Sequence, residues 1–162
     1  MSESREYQVR WLTDAERDAW LAVAGLTVKL PAALDAQLQA DAGLSFFEYM
    51  VLAVLSEQPD RAMQMSDIAA FASASLSRLS HTATRLEKQG LITRKQMPGH
   101  GRRTQATLTD AGMEKVRAVA PHHVMHVRRL LIDGLTTEDL AALARIGNES
   151  LRRIEGRDAD PC

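Results

Sequence analysis

Residues 73–112, SASLSRLSHTATRLEKQGLITRKQMPGHGRRTQATLTDAG, change their hydrophobic period within forty residues. After the Ser73-Ala74-Ser75 turn, Leu76, Leu79, Ala83 and Leu86 recur at helical spacing, which predicts an amphipathic helix ended by Gly90. Two β-prone runs follow, 91–97 and 104–108. Between them lies Pro98-Gly99-His100-Gly101-Arg102-Arg103, whose glycines permit the positive φ of a hairpin. With the four apolar residues turned to a core, Ser75, Ser77, Arg78, His81, Thr82 and Arg85 fall on or near the opposite face, exposed together.

The flanking punctuation is helical. Upstream, Ser66 is placed to cap a short helix over 67–71. Before that, Ser45 with Glu48 forms a capping box that opens a largely buried helix ending before Pro59, with Phe46, Phe47, Met50, Val51, Val54 and Leu55 as its apolar set. Thr13 with Glu16 opens a long Ala- and Leu-rich helix over 15–38, in which Pro31 is expected to cause a kink or interruption. Downstream, a long helix starts at Thr109 and reaches about residue 132, and a last one is capped by Thr136 and runs to about 154. No internal repeat and no low-complexity linker interrupts the chain.

Helix, short helix, turn, amphipathic helix and β-hairpin, in that order, predict a mainly α fold of winged helix-turn-helix type with a small hairpin wing. In such a plan the second helix enters the major groove. Hydroxyl, imidazole and guanidinium groups suit that task, Arg being the usual partner of guanine, while hydroxyls and amides near the helix start hold phosphates. Arg78, His81 and Thr82 are the expected base readers, and Ser75 and Ser77 the phosphate contacts, with Arg85 beside them. Arg102 and Arg103 sit on the glycine-containing turn, from which a guanidinium can reach a minor groove, and Arg94 and Lys95 on the preceding strand can reach the backbone.

Charge follows the same boundaries. The 162 residues carry 20 Lys and Arg against 21 Asp and Glu, a net charge of −1. Residues 1–77 carry a net −6, residues 78–103 a net +6 with Glu87 their only acid, and the remainder −1. Cationic charge gathered so closely is an electrostatic footprint for a polyanion. The 45% apolar and 25% charged composition is that of an ordinary globular domain, which excludes fibrous and disordered classes. No unbroken apolar run, that at 50–55 included, approaches the length that spans a bilayer, and the first residues lack the apolar core of a signal peptide, so a cytoplasmic protein with no membrane segment is expected. Cys162 alone supports neither a disulfide nor a cysteine zinc site. No Gly-rich phosphate loop and no catalytic Ser/His/Asp arrangement stands out, so an enzyme is not expected, and no cofactor is implied.

The chain resembles the MarR family of transcriptional regulators over nearly its whole length. Residues 76–94 are similar to that family's recognition helix and first wing strand, and His100–Gly112, HGRRTQATLTDAG, to its wing motif, an Asp-x-Arg pair followed by Leu-Thr-x-x-Gly. Residues 43–59 and 127–143 resemble the helix before the DNA-binding lobe and the C-terminal dimerisation region. By position, Arg102 is the wing arginine, and His100 stands where the family usually has Asp, which bears on wing rigidity. The resemblance implies one domain over 1–162, with a dimerisation helix at 14–44, a winged DNA-binding lobe at 45–108 and C-terminal dimerisation helices at 109–155. It also implies a homodimer on a pseudo-palindromic double-stranded DNA site, usually a repressor, released by a small ligand. The long apolar helices at both ends, too large for the winged lobe to cover, point to pairing independently.

For the ligand, an aromatic or phenolic compound near Trp20, Phe46, Phe47 or Tyr49 would fit the family. His122 and His126 share a helix face at a spacing that can chelate zinc, with His123 between them, but two imidazoles are not a metal site. A metal-responsive regulator using that pair, and a winged-helix module that binds protein instead of DNA, are the alternatives. Exposed apolar anchors would favour the protein-binding module.

Overall fold

Among the described residues, three helices open on capping boxes. In each, a hydroxyl accepts from the backbone three residues on while the carboxylate there accepts from the cap's own N–H: Thr13 with Glu16, Ser45 with Glu48, and Thr136 with Asp139. The computed structural model describes residues 9–97 and 103–156. Among these, the order is α1 (Asp14–Ala42), α2 (Phe46–Ser56), β1 (Ala62–Gln64), α3 (Met65–Phe71), α4 (Leu76–Lys88), β2 (Ile92–Gln96), β3 (Thr104–Leu108), α5 (Asp110–Val127), a π-helical segment (Arg128–Ile132) and α6 (Thr137–Ile154). The strands make one antiparallel sheet in the order β1-β3-β2.

The core lies where α2, α3, α4 and the sheet meet. Leu52, Leu55, Ile68, Leu79, Leu86, Ile92 and Ala106 are almost fully buried there. A smaller cluster of Leu38, Tyr49 and Val119 joins α1, α2 and α5. Gly43, in the left-handed conformation at φ 65°, ends α1 by turning its N–H to Gln39 O, and Lys115 Nζ donates to the Ala42 carbonyl at 2.8 Å. α5 is therefore tied to the end of α1.

The structure departs from the sequence expectations at several points. α1 runs unbroken through Pro31; Thr27, whose carbonyl Pro31 cannot serve, is exposed like Pro31 itself, so solvent can satisfy it. α3 starts at Met65 with Gln64 as its cap and no side-chain capping bond, so Ser66 lies inside the first turn and does not cap it. The sequence showed two strands, and the third, β1, has only three residues and no alternating pattern. Pairing creates it: Ala62, Met63 and Gln64 oppose Thr107, Ala106 and Gln105 on β3, whose other edge already pairs with β2. α5 ends at Val127, where Asp133 N donates to Arg128 O across the π-helical turn.

Two surfaces stay bare in the single chain. α6 has no buried residue, and those of α1 are Leu34 and Leu38 in its C-terminal half. Trp20, Leu21 and Val23 of α1 and Ile146, Leu151 and Ile154 of α6 are all at least half exposed. α1 also contains an 18-residue window of mean hydropathy 1.3, long and apolar enough to cross a bilayer by length and composition alone. Gly25, Thr27, Lys29, Pro31 and Asp35 divide this helix into short apolar runs.

Candidate nucleic-acid interface

α4 is built to show one polar face. Ser75 caps it, its Oγ accepting from Arg78 N at 3.2 Å, and Leu79, Ala83 and Leu86 turn inward at no more than 1% exposure. At about 100° per residue, Ser77 and His81 fall opposite that core, at the centre of the exposed face. Arg78 and Arg85 flank them on the side of α2, and Leu76 and Ser80 on the side of the wing. Ser75, Ser77, Arg78, His81 and Arg85 are thus exposed together, as expected. Thr82 is not: it is 4% exposed, because its place on the helix turns it toward the core beside Ala83. Leu76, expected in the core, is 57% exposed, on a groove it shares with Met65 and Ser66 at the start of α3 and with Arg103 and Thr104 of the wing.

The arginines are held, and the residues holding them come from elsewhere in the chain. The Arg78 guanidinium lies over the Phe47 ring, 4.4 Å from its centroid. Arg85 Nε donates to Glu48 Oε1 at 2.9 Å, while Glu48 Oε2 accepts from Ser45 N at 2.8 Å and Ser45 Oγ at 3.0 Å. Glu48 is buried, so Arg85 spends part of its charge on an internal partner. Removing it strands that carboxylate: Arg85→Ala is expected to lower the unfolding free energy by about 1–2 kcal/mol, less than for a fully enclosed pair because the guanidinium faces water. Chemical denaturation at neutral pH checks it. The capping box made Glu48 legible in the sequence, but its second partner lies 37 residues away and only folding brings it there.

On the wing, Arg94 is not directed outward to a backbone. Its Nε and Nη2 donate to Glu87 Oε2 at 3.1 and 2.8 Å, and Nη2 also donates to Thr84 Oγ1 at 3.0 Å. The Arg94 N–H bonds Glu87 Oε1 at 3.0 Å, so this carboxylate fastens α4 to β2. Hydrogen bonding from Arg94 holds the Glu87 carboxyl below its ordinary value. The single acid in the basic segment is therefore neutralised internally. Lys95 and Arg103 are exposed and available to a phosphate. His100 and Arg102 lie outside the described residues, as does Cys162.

A crevice of about 710 Å³ opens between Pro31 and Asp35 of α1, Phe46 and Phe47 of α2, and Arg78 and His81 of α4. Asp35 Oδ1 accepts from Phe46 N at 2.8 Å, tying α1 to the start of α2. Two of the four aromatic residues expected near a ligand line it, and two do not. Trp20 is 59% exposed on α1, about 16 Å along the helix from Pro31, and Tyr49 is buried in the other cluster with its ring 4.5 Å from that of His123.

The histidines of α5 serve different neighbours. His123 packs against Tyr49 and Phe46 with Nδ1 3.3 Å from Gln37 Oε1, His122 Nδ1 is 3.8 Å from Asp41 Oδ2, and Arg129 Nη2 donates to His126 Nδ1 at 3.0 Å. With a guanidinium on one ring nitrogen of His126, the pair is poorly arranged for a cation, and among the described residues no three His, Cys, Asp or Glu side chains gather as a metal group. Burial, and then the charge of His126, lower the His123 pKa from its ordinary 6.5. The unfolded chain therefore takes up this proton at a higher pH than the folded one, so stability is complete above 6.5 and falls as pH drops through the lowered value. The melting temperature is expected to fall from pH 7.5 to pH 5, and His123→Gln to flatten that fall.

A polar-faced helix following a short helix and turn, with a basic antiparallel wing beside it, defines a winged helix-turn-helix nucleic-acid-binding protein. A MarR family model matches residues 42–103. Sco3205 of Streptomyces coelicolor, a MarR family transcriptional regulator solved in complex with DNA, is 38% identical with a TM-score of 0.88, over 95% of this chain and 96% of that one. AbsC, a MarR family transcriptional regulator of the same organism, is 40% identical with a TM-score of 0.85, over 91% of this chain and 99% of its own. The transcriptional repressor MprA of Escherichia coli K12 is 28% identical over 120 residues, 73% of this chain and 66% of that protein, so the match spans slightly less than two thirds of MprA. The chain belongs to the MarR family of transcriptional regulators, which are DNA-binding proteins and not enzymes.

Proposed function

We propose that the protein is a cytoplasmic transcriptional repressor that binds a pseudo-palindromic operator as a homodimer and is released by a small aromatic or phenolic ligand. The observation that carries it is the exposed face of α4, where Ser75, Ser77, Arg78, His81 and Arg85 stand together in a segment whose one acid is consumed by Arg94. Residues 14–44 and 109–155 serve dimerisation and 45–108 DNA binding; the bare apolar surfaces of α1 and α6 support that division. Two copies would present two α4 helices to half-sites about 10 bp, or a multiple of it, apart. Arg102, by its place in the wing motif, supplies the minor-groove contact. The crevice bounded by Phe46, Phe47, Arg78 and His81 is where a ligand would act, because anything held there touches both the long helix and the helix that reads DNA.

Selection from random duplexes, followed by titration of the enriched sequence at two salt concentrations, tests the proposal. An inverted repeat with steep salt dependence is expected. Absence of any enriched sequence, with weak binding to all duplexes, would overturn it and give the basic wing a protein partner instead.

A further inference from the structure

We propose that Leu76 reads thymine, packing its side chain on the C5-methyl group at one position of each half-site. The inference rests on α4 being the groove-reading helix. Leu76 departs from the burial of its helix: Leu79, Ala83 and Leu86 are at most 1% exposed, whereas Leu76 is 57% exposed. It stands among Ser75, Ser77 and Ser80, and with Ser80 it lines a groove of about 300 Å³ whose other side includes Arg103 and Thr104 at the base of the wing. Gln64, Met65 and Ser66, at the junction of β1 and α3, complete its lining, and the groove opens on the wing side of α4, beside the face that the proposed reading turns to the duplex.

Position along the helix selects the contact. Leu76 is the first residue of α4, directly after the Ser75 cap, and helical side chains lean toward the N-terminus. The N-terminal residues of a recognition helix are the ones that reach base edges. In the major groove the thymine C5-methyl is the apolar group among donors and acceptors, and an aliphatic side chain discriminates for it without leaving a polar base edge unpaired. The hydroxyls and Arg103 around Leu76 can meanwhile hold the backbone that fixes this register.

The test replaces thymine by uracil, one position at a time, in the selected operator, and so removes a single methyl without touching the protein. Wild-type binding is expected to weaken about fourfold at one position per half-site, and about fifteenfold when both half-sites are altered. Leu76→Ala is expected to bind thymine and uracil equally there, whereas Leu76→Met keeps the discrimination. Because Leu76 is exposed, both variants should melt with the wild type. A flat uracil scan, or a thymine preference that survives in Leu76→Ala, overturns the proposal while leaving operator binding intact. A protein that selects no operator overturns both.

Discussion

Gly112→Ala is expected to lower the melting temperature by about 6–12 °C, corresponding to about 3 kcal/mol. Gly112 is buried in the first turn of α5, where its N–H donates to Thr109 Oγ1 at 3.0 Å. Thr109 in turn donates to the carbonyls of Gly90 and Leu91, at 2.7 and 3.0 Å, the point at which α4 has ended and the wing begins. A Cβ on residue 112 would run into the Leu91 carbonyl oxygen and lie 2.6 Å from Leu108 Cδ1. Backbone cannot yield as the end of a flexible side chain can. Either α5 lifts from the sheet or the end of α4 shifts, and operator affinity should fall along with stability. Gly134→Ala is the control, since a methyl there meets nothing within 4 Å and should leave the melting temperature within a few degrees. Thermal melts of the three proteins decide; a wild-type melt for Gly112→Ala would mean that α5 docks more loosely than these contacts require.

The second large effect concerns assembly. Leu140, Leu143, Leu151 and Ile154 fall on one stripe of α6, and all are exposed in the single chain although they would be expected to seek burial. An 18-residue helix without a buried residue gains too little from its own hydrogen bonds to persist in water unsupported. If a second copy covers this stripe together with the bare half of α1, Leu143→Asp places a carboxylate in the interface. It is expected to shift the protein to monomer in sedimentation velocity and to weaken operator binding roughly 100-fold, because linked half-site contacts become independent. Arg145→Glu, on the opposite face of the same helix, should sediment as the wild type does. A Leu143→Asp protein that still sediments as a dimer would remove α6 from the interface.

How much of the interface was legible follows from how far apart the interacting residues stand. Ser75, Ser77, Arg78, His81 and Arg85 were placed together by the 3.6-residue period alone, which needs no knowledge of distant contacts. The same reasoning misplaced Thr82 and Leu76, because the period gives the direction of a side chain and not how far the neighbouring packing extends. Arg94 is the clearest case. On a strand its charge reads as a phosphate contact, yet Glu87 and Thr84, on the preceding helix, take it up when β2 folds back. Phe47 and Glu48 read as apolar and capping residues of α2, and nothing in their own segment tells of Arg78 and Arg85.

The sequence by itself determined the order of the helices and the wing hairpin, the helix starts at Thr13, Ser45, Ser75, Thr109 and Thr136, and the basic segment with a single acid, since capping and periodicity act within a few residues. The tertiary structure decided the rest. A three-residue strand exists only because β3 offers it an edge, Pro31 is tolerated only because that part of α1 lies in solvent, and the two arginines of α4 take their positions from α2. Local hydrogen bonds are written in adjacent residues, whereas a pairing edge, an exposed face or a buried counter-charge comes into being only when segments tens of residues apart are brought together.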